Sequence, residues 1–453
     1  MHQYIGGALT TGTAGETAVV VDPSTGEVLR TAEAAGPADV DRAVAAAAGA
    51  FPAWADTAPD ARAAALARAA ALLEDRAEEF ARAETRQTGK PIGLSRRWDV
   101  PAALGAAALS AAAARQAAGG AGGTVRREPV GVVACLTPRS HPLRTAAAVV
   151  LPAVAAGNAV VVKPPAAAPL TALLLARLLT EAGLPDGVVN VVTGSGRVAG
   201  ASLVRHPEVA AVAFTGSRAA AREVAAGAAG GLPHLRLEPG GAAPFVVHED
   251  ADLAAAVPGA VAAGLLNSGQ DGSAATRALV HRSLLADFVA GVAERFAAVR
   301  IGPPGDEATE LGPLASFSRR HRVAALVERA RRHARIVTGG SAPGGGLAAG
   351  AYYRPTLVTG AAADSEIARA AVPGPVLAVL PFDAEEEAVL LANDVPAGPA
   401  ASVWTRDLGR ARRAVRGIRA GCVGVNEHPR DGGAAQAGLE AYTQVKHVVY
   451  GED

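Results

Sequence analysis

The segment EPVGVVACLTPRSHPLRTAAAVVLPAVAAGNAVVVKPP, residues 128–165, holds two valine-rich runs that each end in proline, with an alanine-rich stretch between them. Short continuous apolar runs of this kind suit strands covered on both faces, and the stretch between is long enough for a helical crossover. The same alternation continues through GVVNVVTG (187–194) and VAAVAFTGS (209–217). The segment LTALLLARLLTEAGLP (170–185) reads as a helix stopped by Gly and Pro. Successive βαβ units over roughly 130–240 are the setting of a dinucleotide-type fold. A second series follows in RALVHR (277–282), RIVTGG (335–340), YRPTLV (353–358), GPVLAVLPF (374–382), AASVWT (400–405) and CVGVN (422–426). The fold class read from this pattern is α/β with two parallel-sheet domains. The glycine-rich stretches AAGGAGGTV (117–125) and SAPGGGLAAG (341–350) read as surface turns.

A chain of 453 residues, half of them hydrophobic, is long enough for two or three domains with real cores. Lys plus Arg equals Asp plus Glu at 43 each, which removes a global electrostatic case for nucleic acid or an anionic membrane. Small molecules and other subunits are the expected partners. Two cysteines, Cys135 and Cys422, make no disulfide framework and point to a reducing cytoplasm. The opening MHQYIGGALTTG has no basic region followed by an apolar core, so no signal peptide is read there. Alanine-rich runs are interrupted by Asp, Arg and Pro before about 20 apolar residues accumulate, and read as soluble helices.

Metal chemistry has no support in the motifs: HExxH and CxxC are absent, and the histidines are scattered. His206 in RHPEV reads as a capping or packing residue. GSGRVAG (194–200) misses the GxGxxG spacing and reads as a plain strand-to-helix turn.

AFPAW (50–54), ETRQTGKP (84–91), EPVGVVACLTP, LPAVAAGNAVVVKPP, VRHPEVAAVAFTGS (204–217), LEPGG (237–241) and GLEAYTQVK (438–446) occur in an order and spacing that resembles the aldehyde dehydrogenase superfamily along nearly the whole chain. The resemblance implies a Rossmann-type cofactor domain (1–117 and 129–239), a catalytic domain (240–427) and a small oligomerisation segment (118–128 and 428–453). It also implies oxidation of aldehydes with NAD or NADP in a homodimer or homotetramer. That chemistry needs a cysteine thiolate, an oxyanion donor, a placed nicotinamide and a carboxylate base.

Set against the family's pattern, several of these parts are missing. Where the family has Asn-x-Gly-Gln-x-Cys, this chain has Asn267, Ser268, Gly269, Gln270, Asp271 and Gly272, so the nucleophile position carries glycine. Neither Cys135 nor Cys422 matches that position, and Ser273 has no visible base. The family's Pro-Trp-Asn-aromatic becomes Pro138, Arg139, Ser140 and His141. Losing one oxyanion donor typically costs about 100-fold or more in rate. Arg139 and His141 are new polar groups, expected either to line an altered pocket or to lie exposed.

For the cofactor, Lys163, Ser217 and Gly216 are retained, with Thr137 and Pro138 beside them as further candidates, and the dinucleotide contact is weakened or lost. Ala166 replaces the carboxylate of the family's KPSE, which favours NADP over NAD if either binds. The family's ExFGP reads Ala371, Val372, Pro373, Gly374 and Pro375, and the later small glycine after Gly216 is Ala221. Glu238 survives as the candidate carboxylate, next to Pro239. FTGS and LEPGG both read as strand-to-helix turns, whose Gly216, Gly240 and Gly241 the fold needs regardless of chemistry. The segment 425–446 lacks the family's usual PFGG and SGxGRE stretch.

Coordinated change at so many parts argues for a different task. The leading reading is a repurposed enzyme of small-molecule metabolism. Glu238, with Ser140, Arg139 and His141, would handle proton transfer or orient a carbonyl or imine. The alternatives are an NAD(P)H-dependent oxidoreductase using direct hydride transfer, and a non-catalytic scaffold or partner subunit.

Overall fold

The computed structural model describes residues 2–117, 125–430 and 438–449. Most of the glycine-rich 117–125 stretch and part of the shortened 425–446 segment lie outside them.

The first sheet has seven strands in the order His234–Pro239, Val209–Gly216, Val132–Leu136, Ala159–Lys163, Val189–Val191, Gln3–Ile5 and Ala8–Thr10. The first five are parallel, and the two N-terminal strands join antiparallel at one edge. Strands Val132–Leu136 and Ala159–Lys163 are buried at every position, as continuous apolar runs require when helices cover both faces. One core packs helices Pro59–Asp75, Val100–Ala117, Pro142–Ala155 and Leu170–Glu181 on one face, around Leu66, Leu143, Val150 and Leu179. The other face holds Val44, Val161, Leu203 and Phe214.

The second sheet also has seven strands, ordered Arg335–Thr338, Thr356–Thr359, Val376–Phe382, Ala275–His281, Ala243–Val247, Ala400–Trp404 and Cys422–Val425. All its pairings are parallel except the first. Its two faces carry separate cores, one around Phe245, Phe288 and Trp404, the other around Leu279, Leu380 and Val403. A short hairpin pairs Val125–Pro129 with Thr443–His447.

FTGS is a strand-to-helix turn: Ser217 Oγ accepts from Ala220 N at 3.2 Å and caps helix Arg218–Ala228. LEPGG is not. It ends the edge strand His234–Pro239 and runs straight into strand Ala243–Val247 of the other sheet, so it is the strap between the two sheets. Its position explains Pro239, since an edge strand tolerates a missing N–H donor. Gly241 lies against the backbone of Gly398, where a Cβ has no room, and a Cβ on Gly216 would meet the Phe214 ring at 2.6 Å. These glycines therefore serve packing.

Candidate functional site

Strand Val132–Leu136 ends in the turn Thr137–His141, and helix Pro142–Ala155 begins with Pro142 at its first position. Proline is preorganised there because that N–H would be unsatisfied anyway. The turn thus presents Arg139, Ser140 and His141 at the carboxyl end of a parallel strand, the usual place for ligands in such sheets.

The 267–273 loop approaches from the other sheet. Asn267, Ser268 and Gly269 all have positive φ, at 50°, 57° and 70°. Such a run costs roughly 1–2 kcal/mol for each non-glycine residue, so side-chain bonds must hold it. Asn267 Nδ2 donates to the Ser140 carbonyl at 2.8 Å, tying the loop to the turn, and Ser268 Oγ donates to the Gly312 carbonyl at 3.0 Å. Gln270 Oε1 accepts from Ala315 N at 2.9 Å and from Arg319 Nη1 at 3.0 Å. Gly269 packs onto Gly374, where a Cβ has no room.

Gly272 differs from its neighbours. It is exposed, its φ is ordinary, and a Cβ built there would have no heavy atom within 4 Å. The strap lies across from it: a Cβ on Gly240 would sit 3.9 Å from Gly272 Cα. The loop is therefore shaped around a position open to a side chain that the sequence does not supply.

His141 is neither exposed nor facing open space. It is enclosed, with Nδ1 2.9 Å from Asp99 Oδ1 and Nε2 2.7 Å from Asp271 Oδ2. Lys90 Nζ stands 2.6 Å from Asp99, 3.3 Å from Glu84 and 3.0 Å from His141 Nδ1, and these side chains are almost wholly buried. Burial and Lys90 oppose the imidazolium, but Asp99 and Asp271 raise its pKa above the ordinary value. Burial likewise opposes the Asp271 carboxylate, yet His141 and the Ser273 hydroxyl and N–H hold its pKa well below the usual range. Glu84 is pushed up by burial. Lys90 and His141 thus face the carboxyl groups of Asp99, Asp271 and Glu84, and Glu84 also accepts from Gln87, Thr171 and the Leu143 N–H, so each member of this buried cluster has partners. Ser273 Oγ lies within hydrogen-bonding reach of two acceptors, Asp271 Oδ1 and, at 2.7 Å, the Arg430 carbonyl, which share its one proton, so the hydroxyl is engaged and touches no imidazole base.

Glu238 shares its strand face with Arg236, as an i, i+2 spacing dictates. Arg236 Nη2 and Nε lie 2.5 and 3.0 Å from Glu238 Oε1, and Thr215 Oγ1 donates to Oε2 at 3.2 Å. Cys135 is fully buried in its strand and burial pushes its thiol up to about 12, while Cys422 stands on the far edge strand of the second sheet.

At the dinucleotide end, Lys163 closes its strand only 8% exposed, its aliphatic stem against Gly200, and burial pushes the amine down to about 8. The N-terminus of helix Arg218–Ala228 offers backbone N–H groups next to Ser217, a setting that suits phosphate. Val372, where the family resemblance implies an aromatic, is buried in the core with Val323 and Val376. The residues around Lys163 and Ser217 fit the phosphate end of a dinucleotide.

Sequence reasoning missed several partners. Arg236 was legible from its spacing to Glu238 and Asp271 from the Asx turn it makes with Ser273, whereas Lys90, Glu84, Asp99 and Arg319 gave no local signal.

The chain matches the model of the aldehyde dehydrogenase family over residues 10–447. It is similar to the crystal structure of PnpE from Pseudomonas sp. WBC-3, with 34% identity, a TM-score of 0.93, and coverage of 100% of this chain and 98% of that one. A mutant of aldehyde dehydrogenase C (AldC) from Pseudomonas syringae with its cysteine replaced by alanine, complexed with NAD+ and octanal, is 36% identical at a TM-score of 0.92, over 98% of this chain and 96% of that one. PnpE has also been seen with nicotinamide adenine dinucleotide, at 34% identity, TM-score 0.91, and 98% and 96% coverage. On the family match and these likenesses, the chain belongs to the aldehyde dehydrogenase family.

Proposed function

We propose that this protein does not oxidise aldehydes through a thioester and instead binds and orients a small carbonyl or imine metabolite in the old aldehyde pocket. The observation that carries this reading is Gly272: a loop held by four side-chain hydrogen-bonding residues keeps open space where a covalent intermediate would need an atom. An alanine variant of a relative complexed with octanal supports a family pocket that takes an aldehyde without a thiol. Arg139 and Ser140 are the groups of the turn left to meet a substrate. Glu238 serves in proton transfer only when the substrate draws Arg236 away from it, and His141 acts from behind, by positioning the turn and the loop.

A dinucleotide, if bound, supplies hydride chemistry, and NADP is preferred over NAD because Ala166 offers the ribose hydroxyls no carboxylate. The protein works in the cytoplasm as a homodimer or homotetramer, a reading supported by Val125 and Val445, 49% and 48% exposed on the hairpin. Among the described residues, no helix is long and apolar enough to cross a membrane. The clamp of Arg236 on Glu238 favours one alternative, a non-catalytic partner subunit.

The deciding experiment incubates the purified protein with a panel of carbonyl and imine metabolites and follows product by mass spectrometry, with Glu238→Gln alongside. Turnover lowered at least tenfold in the variant is the expected outcome. No product from any member of the panel leaves the partner-subunit reading standing instead.

A further inference from the structure

Arg139 and Arg319 flank the 267–273 loop, and among the described residues no carboxylate answers either of them. Among those residues Arg139 has no side-chain hydrogen bond or ion pair, and its Nε is fully enclosed without a partner. Two residues earlier on the same turn, the enclosed Thr137 Oγ1 is also unpartnered. Arg319, in the first turn of helix Phe317–Ala330, reaches only the neutral amide of Gln270. The described acids of the loop and of the strap are committed elsewhere, Asp271 to His141 and Ser273, and Glu238 to Arg236.

We propose that Arg139 and Arg319, with the Thr137 hydroxyl, bind an anionic group of a small ligand, a carboxylate or a phosphate, beside the open position at Gly272. A planar guanidinium presents paired donors that match the oxygens of either group. Both arginines are half-buried and Arg139 Nε is fully so, and an anion offsets the cost of leaving partly desolvated cations unpaired. Burial and the charge of Arg319 push Arg139 down to about 10, and burial and the charge of Arg322 push Arg319 down to about 10. Both remain charged near neutral pH, so the preference for an anion persists under ordinary conditions. The substrate class that follows is a carbonyl compound carrying an acid group. The inference rests on reading the cleft as a ligand site, but not on turnover.

The test is calorimetry and thermal melting of the whole chain, with inorganic phosphate in one arm and oxalate in the other, at ionic strength matched with chloride. The expected result is saturable binding to one site and a rise in Tm in at least one arm. The tighter arm identifies the group. Affinity falls at least tenfold in Arg139→Gln and Arg319→Gln and stays unchanged in Arg282→Gln, whose exposed guanidinium pairs with Asp383 far from the loop. Arg319→Gln removes a bond to Gln270 and could unsettle the loop, but Arg139→Gln breaks no bond and decides alone. No saturable binding in either arm, or equal affinity in wild type and Arg139→Gln, overturns the proposal. Anion binding without conversion of any metabolite keeps this site and removes the catalytic reading, and conversion without anion binding does the reverse.

Discussion

The 267–273 loop has two flanks that treat charge in opposite ways. On one, Asp271 meets His141, which meets Asp99, which meets Lys90, and each enclosed charge has a partner within 3 Å. On the other, Gln270 touches Arg319, with Arg139 beyond it, and among the described residues neither guanidinium has an acid. Both flanks carry polar residues where an apolar or aromatic wall would pack more simply. The compensated flank fixes a shape. The uncompensated one is costly to the fold by itself, which is the signature of a ligand group rather than of architecture.

Breaking the compensated flank is expected to have the largest effect. His141→Ala leaves Asp99 and Asp271 enclosed without their shared partner, and removing one member of such a cluster typically costs about 3–5 kcal/mol. Urea denaturation followed by circular dichroism reads it. The same flank sets the pH dependence. The pKa of His141 is raised from its ordinary 6.5, so its contribution is complete below that value and is lost as pH rises through the folded-state value. Asp271 and Asp99 are lowered, so theirs is present above the ordinary 3.8 and is lost as pH falls through the folded-state values. Glu84 is raised from 4.5, and it too makes the fold less stable as pH climbs past that value. A plot of Tm against pH should peak between these limits, with the alkaline decline reduced in His141→Phe. An unchanged decline in that variant would assign it to other groups.

The uncompensated flank should respond with the opposite sign. Arg139→Gln, without added anion, is expected to leave stability unchanged or raise it by up to about 1 kcal/mol, because it removes an enclosed charge that pairs with nothing. A loss above about 2 kcal/mol would show that Arg139 supports the fold and would erase the contrast between the flanks.

Much of the fold was legible in the sequence because parallel strands buried on both faces leave continuous apolar runs, as in Val132–Leu136 and Ala159–Lys163. The strands Gln3–Ile5 and Ala8–Thr10 were not, since three-residue strands leave no pattern of their own and depend on the sheet edge they join. LEPGG was misread as a turn into a helix because glycine pairs mark any sharp change of direction, and only the partner Gly398 shows which one. In the site, the departures at Gly272, Ser140 and Ala166 can be read directly. The environment of His141 cannot, because Lys90, Asp99 and Asp271 meet it only through tertiary folding, 51, 42 and 130 positions away.

The central claim is that the loop keeps the shape of a catalytic frame while the chemistry around it has been dismantled at several points, not only at the nucleophile. Gly272→Cys tests it most directly. The position has ordinary φ and open space, so the variant should melt within about 1 °C of the wild type, a shift worth about 1 kcal/mol for a chain this size. Its new thiol should be alkylated by iodoacetamide, as an exposed cysteine is. With octanal and NAD+ or NADP+, no reduced dinucleotide should form, since Glu238 is clamped and Val372 is buried. Sustained formation of NADH or NADPH by this single variant would contradict the account, showing that the thiol alone was missing.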